Sequence, residues 1–215
     1  MSRKKYLIDL FKEYKNRYEG IQNQIMEINK SLAYTEIGRE QAVRQIIDGF
    51  TDTVRFYHDK AFETINGGLD ALAEQWRKSS TGKLTDGNYQ AGLANVIKML
   101  EIGSIRERDD VQNIVDAFKG DFNALSAIKK ILLKSDDEEM QKFAHLIPED
   151  NREENKRLLI QLRDNVDRYI NIDTVRVASK SWNAFNYGST GVSMSMDSMA
   201  QFVQERLGDA LDLLS

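Results

Sequence analysis

The chain has no cysteine. That excludes disulfides, thiolate metal sites and a cysteine nucleophile, and it suits a reducing compartment. It has one proline, Pro148, where average usage of roughly 5% would give about ten. Proline lacks the amide N–H and clashes with the preceding turn, so its near-absence leaves long helices uninterrupted. There are two histidines, His58 and His145, so a metal site would be built mainly from carboxylates. Arg55 and Lys142 stand three residues before them, where the E-x-x-H of di-iron bundles needs glutamate. Apolar runs such as Leu158-Leu159-Ile160 are far too short to span a bilayer. The first residues, Met1-Ser2-Arg3-Lys4-Lys5-Tyr6-Leu7, carry no apolar signal core. A net charge of −4 argues against a dedicated nucleic-acid binder. These absences leave an all-α protein, expected in the cytoplasm, with no cofactor and no membrane contact.

What is present is a heptad seam. Leu7, Phe11, Tyr14, Tyr18, Ile21, Ile25, Ile28 and Leu32 alternate at spacings of four and three. That pattern keeps one stripe of a helix facing a partner helix. Residues 4–33 therefore read as one helix, roughly 45 Å long. A second seam, Val43, Ile47, Phe50, Val54, Tyr57 and Ala61, is offset from the first, because eleven residues separate Leu32 from Val43. Two geometries meet that step. A four-residue stutter would carry one continuous helix through; a break near Thr35 to Gly38 would fold the second helix back as a hairpin. The second helix ends at Gly67-Gly68 or runs on to Trp76. Residues 79–83, Ser-Ser-Thr-Gly-Lys, read as a loop, which divides the chain into a helical arm, 1–80, and a multi-helix domain, 81–215.

Shorter helices follow. Tyr89, Leu93, Val96, Ile97 and Leu100 mark one, ending near Gly103; Val111, Ile114, Val115 and Phe118 mark the next. Gly120 suits the left-handed position after that helix, and Asp121 caps its successor, whose stripe is Phe122, Leu125, Ile128 and Leu132. Ser135 and Glu138 form a capping-box pair. Asp150 and Glu153 open a helix with Leu158, Leu159, Leu162, Val166 and Tyr169 on one face. Val175, Ala178, Trp182 and Phe185 predict another, capped by Asp173. Residues 186–196 are the least structured by composition. The last helix starts at Asp197 or Ser198, with Met199, Val203, Leu207, Ala210 and Leu214 on one side.

Patterns that carry chemistry are weak. H-E-x-x-H, G-x-S-x-G and the calcium-loop pattern are absent, and Gly188-Ser189-Thr190-Gly191 lacks the lysine of a phosphate loop. Both histidines therefore read as structural or surface residues. Residues 135–155 carry a net charge of −6. They fall at two helix N-termini, where carboxylates complement the dipole, a commoner role than holding Ca²⁺ or Mg²⁺. Arg3, Lys4, Lys5, Lys12, Lys15 and Arg17 leave +4 over the first seventeen positions. With Tyr14 and Tyr18 among them, this stretch could meet nucleic acid; those tyrosines lie on the seam, so a solvated basic face is preferred. Met194 and Met196, with Met199 just beyond, suggest an adaptable partner-binding loop.

The stretch Val115-Asp116-Ala117-Phe118-Lys119-Gly120-Asp121-Phe122-Asn123-Ala124-Leu125, behind a heptad-bearing N-terminus, resembles small helical accessory proteins of tailed bacteriophages and prophages. The resemblance covers a small part of the chain and includes no motif of known mechanism. It implies a role in virion assembly or in contact with a host protein.

Taken together, the residues predict a non-catalytic helical protein: a long N-terminal helix or helical hairpin plus a multi-helix domain. The expected association seam is Leu7 to Leu32 and Val43 to Tyr57, bringing the chain to a second copy or to another protein. The alternative is a module docking on a host protein or nucleic acid. The aromatic third of the first seam departs from the Ile/Leu seams of simple dimers. It therefore leaves open whether the partner helix lies in the same chain.

Overall fold

A computed structural model describes residues 2–81, 83, 85–182 and 191–207. Among these residues there are nine α-helices, one short 3-10 helix and no strand. The all-α expectation holds.

Helix α1, Arg3–Lys30, starts at Ser2, whose hydroxyl accepts from the Lys5 amide. It ends sooner than the heptad pattern does. Ser31 turns extended, with φ −73° and ψ 130°, and its N–H bonds back to Glu27 and Ile28. The Ala33 amide then donates to Ser31 Oγ. Thr35 opens α2, Glu36–Thr81, by accepting from the Gly38 amide at 3.1 Å. A Cβ on Gly38 would stand 3.2 Å from that hydroxyl, so the cap favours glycine there. Two short polar side chains that prefer caps to helix interiors thus bracket a five-residue turn. The stutter is not formed; the chain makes a hairpin. Tyr14 meets Phe50 and Tyr57 at ring-centroid distances of 6.1 and 5.6 Å. Arg3 approaches Gly67, and the Arg39 guanidinium reaches the Ser31 carbonyl. The two helices are therefore antiparallel.

Helix α2 runs past Gly67-Gly68 to Thr81, so Ser79 to Thr81 continue the helix where the sequence predicted a loop. Next come α3, Gly87–Glu101, α4, Arg108–Ala117, α5, Phe122–Lys134, α6, Glu138–Lys142, and a 3-10 helix at Phe143–Leu146. The chain then forms α7, Arg152–Tyr169, α8, Ile172–Ser179, and α9, Gly191–Arg206. Gly120 has φ +83°, the left-handed value expected of it, and Asp121 caps α5 by accepting from the Asn123 and Ala124 amides. Asp137, two residues after Ser135, is the residue that caps α6 by accepting from the Glu139 amide. Asn171 rather than Asp173 caps α8. Helix α9 starts six residues before Asp197, so Gly191 to Met196 are helical. The remainder of the expected loop, 186–190, and Phe185, Ala210 and Leu214 lie outside the described residues.

The helices form two compact units. Unit 1 takes residues 1–71 together with 154–215; unit 2 takes 72–153. The sequence reading had grouped 154–215 with 81–153. They join the N-terminal hairpin instead because the apolar stripes of α7, α8 and α9 share its core: Leu159, Leu162, Val166, Val175, Met196 and Val203 are buried beside Phe11, Tyr14 and Tyr18. Unit 2 closes over its own core of Leu100, Val111, Val115, Leu125, Ile128, Leu132 and Met140.

Candidate functional site

The first seam is consumed by the chain itself. Leu7, Phe11, Tyr14, Tyr18 and Ile25 are fully buried, Ile21 nearly so, and Ile28 is half-buried. Their partners are on this chain. Tyr18 meets Trp182 edge to face at 5.3 Å, and the Asn29 side-chain amide donates to the Trp182 carbonyl. Burial pushes the Tyr14 phenol well above its ordinary range, and neighbouring Tyr18 adds to the effect. In the second seam Ile47, Phe50, Val54, Tyr57 and Ala61 are buried and Val43 partly so.

Leu32 is the exception. It follows the end of α1 and is 99% exposed. Ile37 is 69% exposed and Tyr34 42%. Leu32 and Tyr34 on the turn, and Ile37 in the first turn of α2, therefore stand in water. Single exposed apolar residues are ordinary; three within six positions are less often met. The nearby charges balance: Glu27, Glu36 and Glu40 against Lys30, Arg39 and Arg44. Arg39 is spent on the Ser31 carbonyl, where it holds the turn closed.

The methionine loop divides. Met196 and Met199 are core residues, 1% and 3% exposed, because α9 extends through them; only Met194 faces out. It lies beside a groove of about 300 Å³ between α7 and α9, whose lining includes Asn165, Tyr169, Met199 and Phe202. Two larger clefts carry charge. One, of about 470 Å³ in unit 2, is lined partly by Glu101, Arg106, Lys134 and Asp136. The other, also about 470 Å³, lies between α1 and α2 and includes Arg3, Lys60 and Glu63.

The basic stretch is partly tied down. Lys15 binds Asp197 at 2.6 Å, and this bond, more than nearby Glu19, raises the Lys15 ammonium above its ordinary value. Lys5 and Lys12 are exposed on α1 and Lys4 is half-buried. His58 sits between Asp59 and Asp167 and stacks on Phe62 at 4.3 Å, joining α2 to α7. His145 contacts the Lys142 carbonyl. Among the described residues no three His, Cys, Asp or Glu side chains gather as a metal site would need.

One residue that the sequence hid is Arg152. One of two cations, with Lys142, in the acidic stretch 135–155, it is an anchor of unit 2. Its guanidinium lies over Phe122 at 4.9 Å and Trp76 at 5.4 Å, and its Nε and Nη2 grip Asp150 at 2.7 and 2.6 Å. The fork matches a carboxylate as an ammonium cannot. Arg152→Lys is expected to cost about 1–2 kcal/mol, from the lost bidentate pair and weakened ring contact, read as a lower denaturant midpoint; an unchanged midpoint contradicts this. Arg152 also holds the Asp150 carboxyl below the usual carboxylate range, chiefly through its side-chain hydrogen bonds. That stabilisation is present above the unfolded carboxylate value, near 3.9, and is lost as pH falls through the lower folded one. Stability followed from pH 6 down to about 2 should therefore fall less steeply in Asp150→Asn than in the native chain; equal slopes would exclude the linkage.

No protein-family model, curated protein or solved structure matches the chain. Among the described residues no helix is long and apolar enough to cross a membrane.

Proposed function

We propose that this chain is a non-catalytic helical assembly protein that self-associates, in the manner its resemblance to phage and prophage accessory proteins suggests. The observation that carries the reading is the set of exposed apolar side chains at the end of the hairpin, Leu32 and Tyr34 on the turn and Ile37 at the start of α2. The heptad seam is no longer the contact, since Ile25 and its neighbours are already covered. Association falls instead to surfaces that folding leaves open. Three side chains bury far less than the ~800 Å² per partner of a standard interface, so the contact is weak.

Light scattering coupled to size exclusion tests the reading. The mean mass should climb as the loaded protein rises from micromolar to hundreds of micromolar. A strict monomer throughout overturns it. The alternative, a binding module for a different protein, draws on the same turn. It gains if the chain stays monomeric yet binds a defined protein in a Leu32-dependent way. A nucleic-acid version through Arg3, Lys4, Lys5, Lys12 and Lys15 is weakened by the engagement of Lys15 with Asp197.

A further inference from the structure

We infer that unit 2 is a separately folding insertion in the chain of unit 1, closed at its own neck by Trp76 and Arg152, and that either unit can unfold while the other stays native.

The chain leaves unit 1 after Ala71 and returns to it at Glu154. Unit 1 is therefore built from two stretches that unit 2 separates in sequence. Insertions of this kind are tolerated when the inserted piece has its two ends close together. Unit 2 meets that condition. Trp76 stands five residues after the exit and Arg152 two before the return. The Arg152 guanidinium lies 5.4 Å from the centroid of the Trp76 ring. Its side chain is only 14% exposed, and its bidentate grip on Asp150 fixes it there. Residues of unit 2 alone thus staple the neck, and the staple needs nothing from unit 1.

The cores make the same division. The buried apolar cluster of unit 2 draws its members from positions 100–147. That of unit 1 draws its members from 7–65 and 158–207, and no side chain belongs to both. Burial of apolar surface is the dominant favourable term in folding. Truncating a side chain in one cluster therefore withdraws nothing from the other, and sites with no shared partners act independently. Polar contacts inside unit 2 repeat the pattern. Asp121 caps α5 with one carboxylate oxygen and accepts the Tyr89 hydroxyl on the other, joining α3 to α5.

Helix α2 crosses from one unit to the other, and α7 crosses back in its first turn. In α2 the crossing comes just after Gly67-Gly68. Glycine is the residue least favourable to a helix after proline. A Cβ at Gly67 would meet the Arg3 guanidinium at 3.8 Å, an ordinary contact, so packing does not demand glycine there. The helix is weak beside the boundary between the two folding units.

The chain's two tryptophans supply one reporter for each unit, Trp182 for unit 1 and Trp76 for unit 2. In the full chain, Trp76→Phe leaves the fluorescence of Trp182 and Trp182→Phe leaves that of Trp76. Into each background go two mild truncations of fully buried residues, Ile25→Val in unit 1 and Ile128→Val in unit 2. Ile25→Val should lower the urea midpoint read at Trp182 by roughly 0.5 M and leave the Trp76 midpoint in place. Ile128→Val should do the reverse. Both reporters moving together in response to either truncation overturns the inference. Hydrogen exchange of the two Ile→Val chains, with both tryptophans kept, makes the same comparison if a reporter variant fails to fold. Protection should fall roughly two- to tenfold in α7 with the first and in α5 with the second. Equal losses in both helices from either change would again overturn it.

Discussion

Ile25→Asp is expected to unfold unit 1, while Leu32→Asp, seven residues along the same heptad pattern, is expected to leave stability unchanged. Ile25 is fully buried among helices of its own chain and Leu32 is 99% exposed. A carboxylate at position 25 would be buried with no opposite charge provided for it. Either it stays ionised at a large desolvation cost or it protonates and still leaves polar atoms unpaired. Together with the lost isoleucine packing this exceeds ~4 kcal/mol, a large part of the ~5–15 kcal/mol that holds a typical domain folded. At position 32 the carboxylate faces water, and the change should fall within ~0.5 kcal/mol of zero. Chemical denaturation of both variants reads the difference. If the seam instead faced a second chain, Ile25→Asp would yield a folded monomer.

The second large effect is at Trp182. Trp182→Ala should destabilise unit 1 by about 3–5 kcal/mol, the usual cost of emptying a buried aromatic site. Trp182 is 2% exposed, packs its ring edge to face with Tyr18, and lends its carbonyl to Asn29. It is the point at which the segment after α8 is fastened to α1. For a protein of this size the loss corresponds to a fall of roughly 6–20 °C in the thermal midpoint. A fall of under a degree or two would mean that residues 154–182 do not share a core with the N-terminal hairpin.

Much of the architecture was legible, and what was not has physical reasons. Near-absence of proline and repeated three-four spacing predict helices, and helices are found. Gly120 and Asp121 announce their turn because a left-handed residue followed by a short carboxylate has few other uses. Leu32 misleads because periodicity counts apolar residues and ignores caps; Ser31 and Thr35 on either side were the stronger signal. Helix α9 was begun too late because Gly-Val-Ser-Met-Ser-Met is loop-like in composition. Yet Val192, Met196, Met199 and Val203 keep helical spacing, and all four are buried.

The candidate site was less legible than the fold. A seam shows that a face must be covered but not by which helix, so the sequence left open a choice between a second chain and α7 to α9. Arg152 carries no sequence mark, since Trp76 and Phe122 become its neighbours only on folding. Leu32, a seam residue by periodicity, lies beyond the end of α1, and Met194, a loop residue by composition, lies inside α9. Each changed role when the end of one helix and the start of another were fixed.

The central claim is that the two heptad stretches pair with each other inside one chain, leaving their connecting turn outside. The absence of cysteine makes a direct measurement clean, because two introduced thiols are the only ones to label. Spin labels at Asn16→Cys and Asp52→Cys occupy exposed positions on α1 and α2. Measured by pulsed dipolar spectroscopy in excess unlabelled protein, their separation should lie near 20 Å, about the ~8–10 Å between packed helix axes plus the label arms. A separation near 54 Å, that of thirty-six residues of continuous helix, or a short distance that disappears on dilution with unlabelled chain, would contradict the account.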